Sequence, residues 1–387
     1  MLSEHAVRGS EETSFVHNKK DSKHPHAWRV RKSSPRIPLL GVFILSSLLA
    51  LFASVAFGQD APVPSAPRPK DSLAQAEARL RAGRAEEALT LLNTLAATDP
   101  AASGLEAMFG KAYFQAKKFP DAIIHLKSAL KENPGDLEST QLLALCFYGS
   151  GDYSQATPLL ERLAPQLPKS NADGPYLLGI CYVMTQRSDD ARKIFAQMFS
   201  VTPDSALAYL MLGKILVRQQ MEDRAVPNIE KALQLEPRLP MAHFLLGEID
   251  LYQGKSQAAV DEFQKELAIN PTVWLVYWRL GDAYVRLNNL DEAEKVLKES
   301  IWLNESSSGA YILLGEIALK KSDSPLAAGF LERALKLDPQ NFYVHYFLAR
   351  AYQNLGRKTE ASQHFEISKS LRNDQHNEER NVMQAMP

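Results

Sequence analysis

The residue types that most often carry catalysis or metal binding are sparse in this chain, and they form no familiar active-site pattern. The 387 residues include nine histidines and two cysteines. They contain no helical His/Glu zinc motif, no phosphate-binding loop and no nucleophile elbow. Carboxylates cluster beside basic residues, as in Asp291-Glu292-Ala293-Glu294-Lys295, which is typical of a solvent-exposed helix face. We therefore predict that the protein is not an enzyme and that it uses no cofactor and no metal ion.

The elements that position the side chains can be read from a lattice of prolines with a period of 34 residues. Because the residue before a proline disfavours the helical conformation, each of these prolines is expected to end a helix. The lattice predicts nine units, with one inserted residue near position 170. The units begin near 69, 103, 137, 172, 206, 240, 274, 308 and 342, and the prolines are Pro100, Pro134, Pro203, Pro237, Pro271 and Pro339.

Within each unit the same residue classes recur at helical spacing. In the seventh unit, Tyr277 and Leu280 would lie on one helix face, while Gly281 and Ala293 are small where two helices would cross. This pattern resembles the tetratricopeptide repeat family over about residues 69–375. The resemblance implies an all-α, right-handed superhelical solenoid of about nine helix-turn-helix repeats.

The two cysteines, Cys146 and Cys181, would lie on neighbouring first helices of this array. Packed helices are about 8–10 Å apart, whereas a disulfide requires Cα atoms within about 7 Å. We therefore predict two buried free thiols.

In the tetratricopeptide repeat family the first helices line a concave groove, so the resemblance implies which side chains of this chain face a ligand. Aromatic and arginine residues are the types most often found at the energetic centres of interfaces. The implied groove residues are Tyr176, Lys214, Arg218, Met241, Phe244, Trp278, Asp282, Arg286, Tyr343, Tyr346 and Arg350. We predict that a peptide or protein segment binds there, with ordinary packing between helices as the alternative for each aromatic residue.

The N-terminal region is predicted to be a membrane segment behind a basic tail. Residues 37–58 carry no charge and are long enough for a membrane helix. Residues 1–36 contain eight Lys/Arg against four Asp/Glu, so the tail is expected in the cytoplasm and the repeats outside it. The alternative is a cleaved signal peptide. We favour a retained anchor because the apolar run is long, and either alternative makes the repeats periplasmic if the cell is bacterial.

Five segments are therefore predicted. They are a basic, disordered cytoplasmic tail (1–36), a transmembrane helix or signal segment (37–58), a proline-rich linker (59–68), the repeat array (69–375) and a polar C-terminal tail (376–387). Gly174-Pro175 falls where the first helix of the fourth unit should be running, so that helix is expected to start late and to mark a hinge.

The formal net charge of -1 gives no general attraction for nucleic acid, and no nucleic-acid partner is predicted. The function predicted is that of a non-enzymatic scaffold or adaptor, with a protein or peptide partner outside the cytoplasm. The alternative is a self-assembling structural protein or an accessory subunit of an envelope enzyme or secretion complex.

Overall fold

The computed structural model of the chain describes residues 69–166 and 173–384, so the predicted tail, membrane segment and proline-rich linker lie outside the described residues. The described residues form eighteen α-helices and one short 3-10 helix, and they include no β-strand. This arrangement confirms the predicted all-α repeat array. The handedness of the superhelix stays a prediction.

The helices follow one another as nine hairpins, each with a first and a second helix. The bounds are α1 (Pro69–Arg81) and α2 (Ala85–Thr98), α3 (Leu105–Gln115) and α4 (Phe119–Glu132), α5 (Leu137–Gly149) and α6 (Tyr153–Leu163), α7 (Asp173–Met184) and α8 (Ser188–Met198), α9 (Ala206–Arg218) and α10 (Glu222–Leu235), α11 (Ala242–Tyr252) and α12 (Ser256–Ile269), α13 (Trp274–Arg286) and α14 (Leu290–Leu303), α15 (Ser308–Lys320) and α16 (Ser324–Leu337), and α17 (Phe342–Asn354) and α18 (Lys358–Gln384). The 3-10 helix, Ala164–Gln166, follows α6.

Every hairpin turns at a residue in the left-handed region, shortly after the end of its first helix. This conformation lets the last carbonyl groups of the first helix find backbone donors, and glycine adopts it without strain. Only four of the nine hairpins use glycine here. The turn residues are Gly83, Lys117, Gly151, Gln186, Gln220, Gly254, Asn288, Ser322 and Gly356.

Small residues allow the two helices of a hairpin to approach closely. A Cβ atom placed on Gly281 would lie 2.5 Å from Leu297 Cγ, and one on Gly315 would lie 2.5 Å from Leu331 Cγ. Leu297 and Leu331 are fully buried by this contact. The recurring glycines therefore serve helix packing.

Consecutive hairpins stack so that each first helix contacts the second helix of the hairpin before it. Consecutive first helices also contact each other along much of the array, for example α7 with α9, α11 with α13, and α15 with α17. A single helical hairpin cannot bury its own apolar face, so these contacts between neighbours complete the core.

Two sequence expectations concern the ends of helices. The expectation of a late start for the fourth unit is wrong, because α7 begins at Asp173 and carries Gly174 and Pro175 in its first turn. A proline is tolerated there because the first helical N–H groups have no partner within the helix. At the C-terminus, α18 continues to Gln384, through most of the predicted polar tail. None of the helices described in the structure combines the length and hydropathy needed to cross a membrane.

Candidate partner-binding surface

The predicted groove residues lie on the side of the array where consecutive first helices contact each other. We call the side formed by α7, α9, α11, α13, α15 and α17 the first-helix surface. The structure divides these residues into exposed or half-exposed side chains, which a partner could reach, and side chains that belong to the core or to internal ion pairs.

Exposed positive charge and a half-buried phenol ring meet in hairpins four and five. Arg218 Nη1 donates a hydrogen bond of 2.6 Å to the hydroxyl oxygen of Tyr176 across two first helices. Lys214 lies one turn earlier on α9, and both cations are exposed. The phenol of Tyr148 lies near Arg218, and burial raises the pKa of Tyr148 well above its ordinary value. These side chains form a basic patch beside aromatic rings.

Hairpins six and seven hold a chain of opposite charges. The Glu248 carboxylate accepts a hydrogen bond from Arg279 Nη2 at 2.7 Å, and Arg279 Nε lies 2.6 Å from Glu248 Oε1. Asp282 accepts from Arg286 at 3.0 and 3.1 Å, and Arg279 Nη1 is 3.9 Å from Asp282. Asp282 is only 3% exposed. Two predicted groove residues, Asp282 and Arg286, are therefore brought together, and they bind each other.

Two of the predicted aromatic groove residues, Trp278 and Phe244, have different surroundings. Trp278 is half-buried, with the Arg279 guanidinium 4.7 Å from its ring centre. A Cβ on Gly309 would lie 2.6 Å from Trp278 Nε1, so the indole lies against the backbone at the start of α15. Phe244 is 6% exposed, and its ring centre is 5.8 Å from that of Phe263. Phe244 thus packs in the core, whereas part of Trp278 reaches the surface.

Met241 occupies the entry to α11 in a left-handed conformation, with φ of +70°. The fully buried carboxylate of Glu266 accepts from the Met241 backbone N–H at 2.7 Å and from the Phe244 N–H at 3.2 Å. A carboxylate at a helix N-terminus satisfies N–H groups that have no partner within the helix. The backbone at Met241, whose side chain is half-buried, is therefore held by a cap from α12.

The last three predicted groove residues lie on α17. The Tyr346 ring is half-buried and packs edge-on at 6.1 Å from that of Phe365 on α18. Arg350 is exposed. Burial raises the pKa of Tyr343, and the positive charges of Arg372 and Arg286 oppose that rise. The proximity of Tyr343 to Arg286 joins hairpin nine to the charged side chains of hairpin seven.

Charge on the first-helix surface is consequently uneven. In hairpins six to eight the cations are paired with carboxylates, including Lys320 with Glu316 at 3.1 Å. Lys214, Arg218 and Arg350 have no carboxylate of the described residues within ion-pair distance. An acidic ligand would find available positive charge at these three residues.

Sequence reasoning left out Arg279, which holds Glu248, Asp282 and the Trp278 ring together. The available signal was its spacing of three residues from Asp282 on one helix, which allows an ion pair. The contact with Glu248 joins hairpin seven to hairpin six, and sequence spacing alone does not reveal it.

Two family models described as tetratricopeptide repeat match the chain. One matches residues 73–136, 210–273, 245–311 and 278–342, and the other matches residues 113–174, 147–215 and 318–376. A search of curated protein sequences gave no match.

Solved structures of helical-repeat proteins are similar to this chain at low identity. MamA (residues 41 to the end) from Desulfovibrio magneticus RS-1 is 22% identical with a TM-score of 0.41, over 44% of this chain and 97% of that chain. PilF of Pseudomonas aeruginosa is 16% identical with a TM-score of 0.43, over 50% of this chain and 87% of that chain. YrrB, described as a TPR protein with an unusual peptide-binding site, is 19% identical with a TM-score of 0.40, over 47% and 94%.

Proposed function

The chain belongs to the tetratricopeptide repeat family, and from this premise we propose that it is a non-enzymatic scaffold or adaptor that binds a peptide or protein segment on its first-helix surface. The observation that supports this proposal most directly is the patch of Tyr176, Lys214 and Arg218. Its two cations are exposed, one of them is held in place by a phenol hydroxyl, and neither is neutralised by a carboxylate of the described residues.

Aromatic rings and arginines supply large contact area and directional hydrogen bonds, which explains their frequency at the centres of interfaces. Trp278 and Tyr346 add half-exposed rings further along the same surface. A segment lying across hairpins four to nine would meet basic side chains first at Lys214 and Arg218 and again at Arg350, with aromatic rings between them.

We also propose that residues 37–58 anchor the protein in a membrane and that the repeats lie outside the cytoplasm, in the periplasm if the cell is bacterial. The support is the uncharged run and the basic residues before it. A cleaved signal segment gives the same location for the repeats. An adaptor in that place would serve assembly or export at the cell envelope.

Crosslinking with mass spectrometry in the native cells tests the binding proposal. The intact chain is compared with the double variant Lys214→Glu, Arg218→Glu. The control is Lys231→Glu, an exposed lysine on the second helix of the same hairpin. Because all three side chains are exposed, none of the substitutions should unfold the array.

The expected result is one partner that crosslinks to the intact chain and to the control but is lost from the double variant. If the partner remains with the double variant, the first-helix surface is not its binding site. If most crosslinks join copies of this chain, self-assembly replaces the adaptor proposal.

A further inference from the structure

One position of the repeat normally carries an aromatic ring that closes the space between neighbouring hairpins. It lies on the first helix, and its side chain faces the second helix of the hairpin before. Tyr182 donates to Glu161 at 2.9 Å, and Tyr352 donates to Glu332 at 2.9 Å. Five hairpins place an aromatic residue there: Tyr113, Phe147, Tyr182, Tyr284 and Tyr352.

Hairpin six is one of four hairpins without the ring, and it has Asp250 at this position. A cleft of about 550 Å³ opens there, between α10 of hairpin five and α11 of hairpin six. Its apolar walls are Val226, Leu246 and Ile249. A smaller cavity of about 180 Å³ lies beside Ala318, the equivalent residue of hairpin eight. In both hairpins the space lies where the ring is missing.

In hairpin eight a lysine lies beside such a space. Lys321 lines its cavity, and its Nζ lies 2.7 Å from Asp291 Oδ1 and 2.7 Å from Glu294 Oε2, both on the second helix of hairpin seven. The residue of hairpin six at the same place in the repeat is Gln253, which carries no charge. The larger cleft thus has acidic walls and no lysine at the place that Lys321 takes in hairpin eight.

The charges around the larger cleft are mostly negative. The carboxylates that line it are Glu222, Asp223, Glu230, Asp250 and Glu262, of which Glu262 is already paired with Lys265 at 2.6 Å. Lys255 is the one cation lining the cleft, and its Nζ is 4.0 Å from Asp250 Oδ1, the limit of an ion pair. Burial raises the pKa of Asp250, and Glu262 adds to that rise, whereas Lys255 and Lys265 oppose it.

We propose that this cleft binds a lysine or arginine side chain from a basic segment of a partner protein. The cation would take the place that Lys321 occupies in hairpin eight, with its aliphatic stem along Val226, Leu246 and Ile249 and its charged end among the carboxylates. The long stem and terminal charge of these two residues match an apolar wall with an acidic rim.

The cleft uses none of the predicted groove residues on the first-helix surface. It opens at the turn ends of hairpins five and six, where α10 begins and α11 ends. Failure of one binding proposal therefore leaves the other intact, and the two sites could hold different parts of one partner.

The test is fluorescence anisotropy of a fluorescein-labelled Arg-Leu-Arg-Leu-Arg peptide, titrated with the full-length chain in neutral detergent. Two variants close the cleft in different ways. Asp250→Tyr restores the ring found in five other hairpins, and Gln253→Lys supplies the internal cation found in hairpin eight. The control, Glu299→Gln, removes an exposed carboxylate from α14, outside the cleft.

We expect the peptide to bind the unmodified chain and Glu299→Gln equally, and both cleft variants to weaken its affinity at least tenfold. The acidic control peptide Glu-Leu-Glu-Leu-Glu should not bind. The melting temperature of Asp250→Tyr should not fall, which separates lost binding from lost folding. The proposal is overturned if the basic peptide fails to bind the unmodified chain, or if both cleft variants bind it as well as the control does.

Discussion

Gly315 and Gly329 belong to the same hairpin but have opposite surroundings. A Cβ on Gly315 would lie 2.5 Å from Leu331 Cγ, whereas one on Gly329 would meet no atom within 4 Å. We expect Gly315→Ala to lower the free energy of unfolding by about 1–3 kcal/mol through overpacking. Gly329→Ala should raise it by about 0.5–1 kcal/mol, because alanine favours the helix. Urea denaturation of both variants checks this, and equal shifts would contradict the close packing.

Arg279 provides a second test at the scale of single residues. Its removal would leave Glu248 and Asp282 without the cation that lies between them. We expect Arg279→Met to lower the free energy of unfolding by about 1.5–3 kcal/mol, the usual range for hydrogen bonds to charged groups. The matched variant Lys298→Met breaks an exposed pair with Glu294 and should cost less than about 1 kcal/mol. Similar losses in the two variants would show that the internal pairs contribute little.

The sequence was a good guide to some residues and a poor one to others. Gly281 and Leu280 could be assigned to packing because their role follows from helical periodicity, which is local. The surroundings of Phe244 and Asp282 depend on neighbouring helices, and both lie buried where the resemblance places a ligand. Spacing along one helix does not reveal which side chains are covered by the neighbouring hairpin.

At the scale of elements, one polar bridge recurs between the two helices of a hairpin. In hairpin two, His125 Nδ1 is 2.9 Å from Glu106, and in hairpin six His243 Nδ1 is 2.7 Å from Glu262. The equivalent residues of hairpin nine are both histidines, and their Nδ1 atoms are 2.8 Å apart. Two hairpins thus join their helices with an acid and a base, whereas the last uses two bases.

The pair in hairpin nine favours neutral histidines. His345 Nε2 donates to the Pro339 carbonyl at 3.0 Å, so its Nδ1 must accept the proton that His364 Nδ1 donates. A proton on His345 Nδ1 would remove this acceptor. Burial and the neighbouring His345 lower the pKa of His364 from its ordinary value of 6.5. The unfolded chain therefore binds a proton more readily than the folded hairpin does.

It follows that stability from this pair is present above about pH 6.5 and is lost as the pH falls below it. Because burial and the neighbouring His345 disfavour a charged His364 in the folded hairpin, α18 should open more often at pH 5.5 than at pH 7.5. Hydrogen exchange of α17 and α18, corrected for the intrinsic rate, measures this opening. The variant His364→Glu recreates the acid–base pair of hairpins two and six and should keep its protection at pH 5.5. The same pH dependence in both proteins would exclude the histidine pair as its cause.

For whole elements, the prediction from sequence succeeded because the repeat supplies the same local signals nine times. The proline lattice located the ends of second helices, and the described hairpins follow its period. The same reasoning missed the cleft at Asp250. Its signal was present as a carboxylate at a position where other units have tyrosine, but the size of the space depends on the packing of α10 against α11.

At the scale of the whole molecule, stability in a linear array comes from contacts between neighbours. A partner on the first-helix surface and one in the cleft would each cross at least two hairpins, so binding would strengthen the same interfaces that hold the array together. The predicted membrane segment adds a constraint of another kind, because it decides which proteins can reach either site. The location of the repeats is therefore part of the functional proposal.

The native cysteines make that location measurable. Cys146 and Cys181 are fully buried, and burial raises the pKa of both thiols to about 12, so neither should react with a charged, membrane-impermeant maleimide. Glu305→Cys places a reactive thiol on the exposed turn before α15, and Ser10→Cys places one in the basic tail. In intact cells we expect Glu305→Cys to be labelled and Ser10→Cys to react only after permeabilisation. The reverse pattern would place the repeats in the cytoplasm, and a mature chain that lacks residue 10 would favour signal cleavage over a retained anchor.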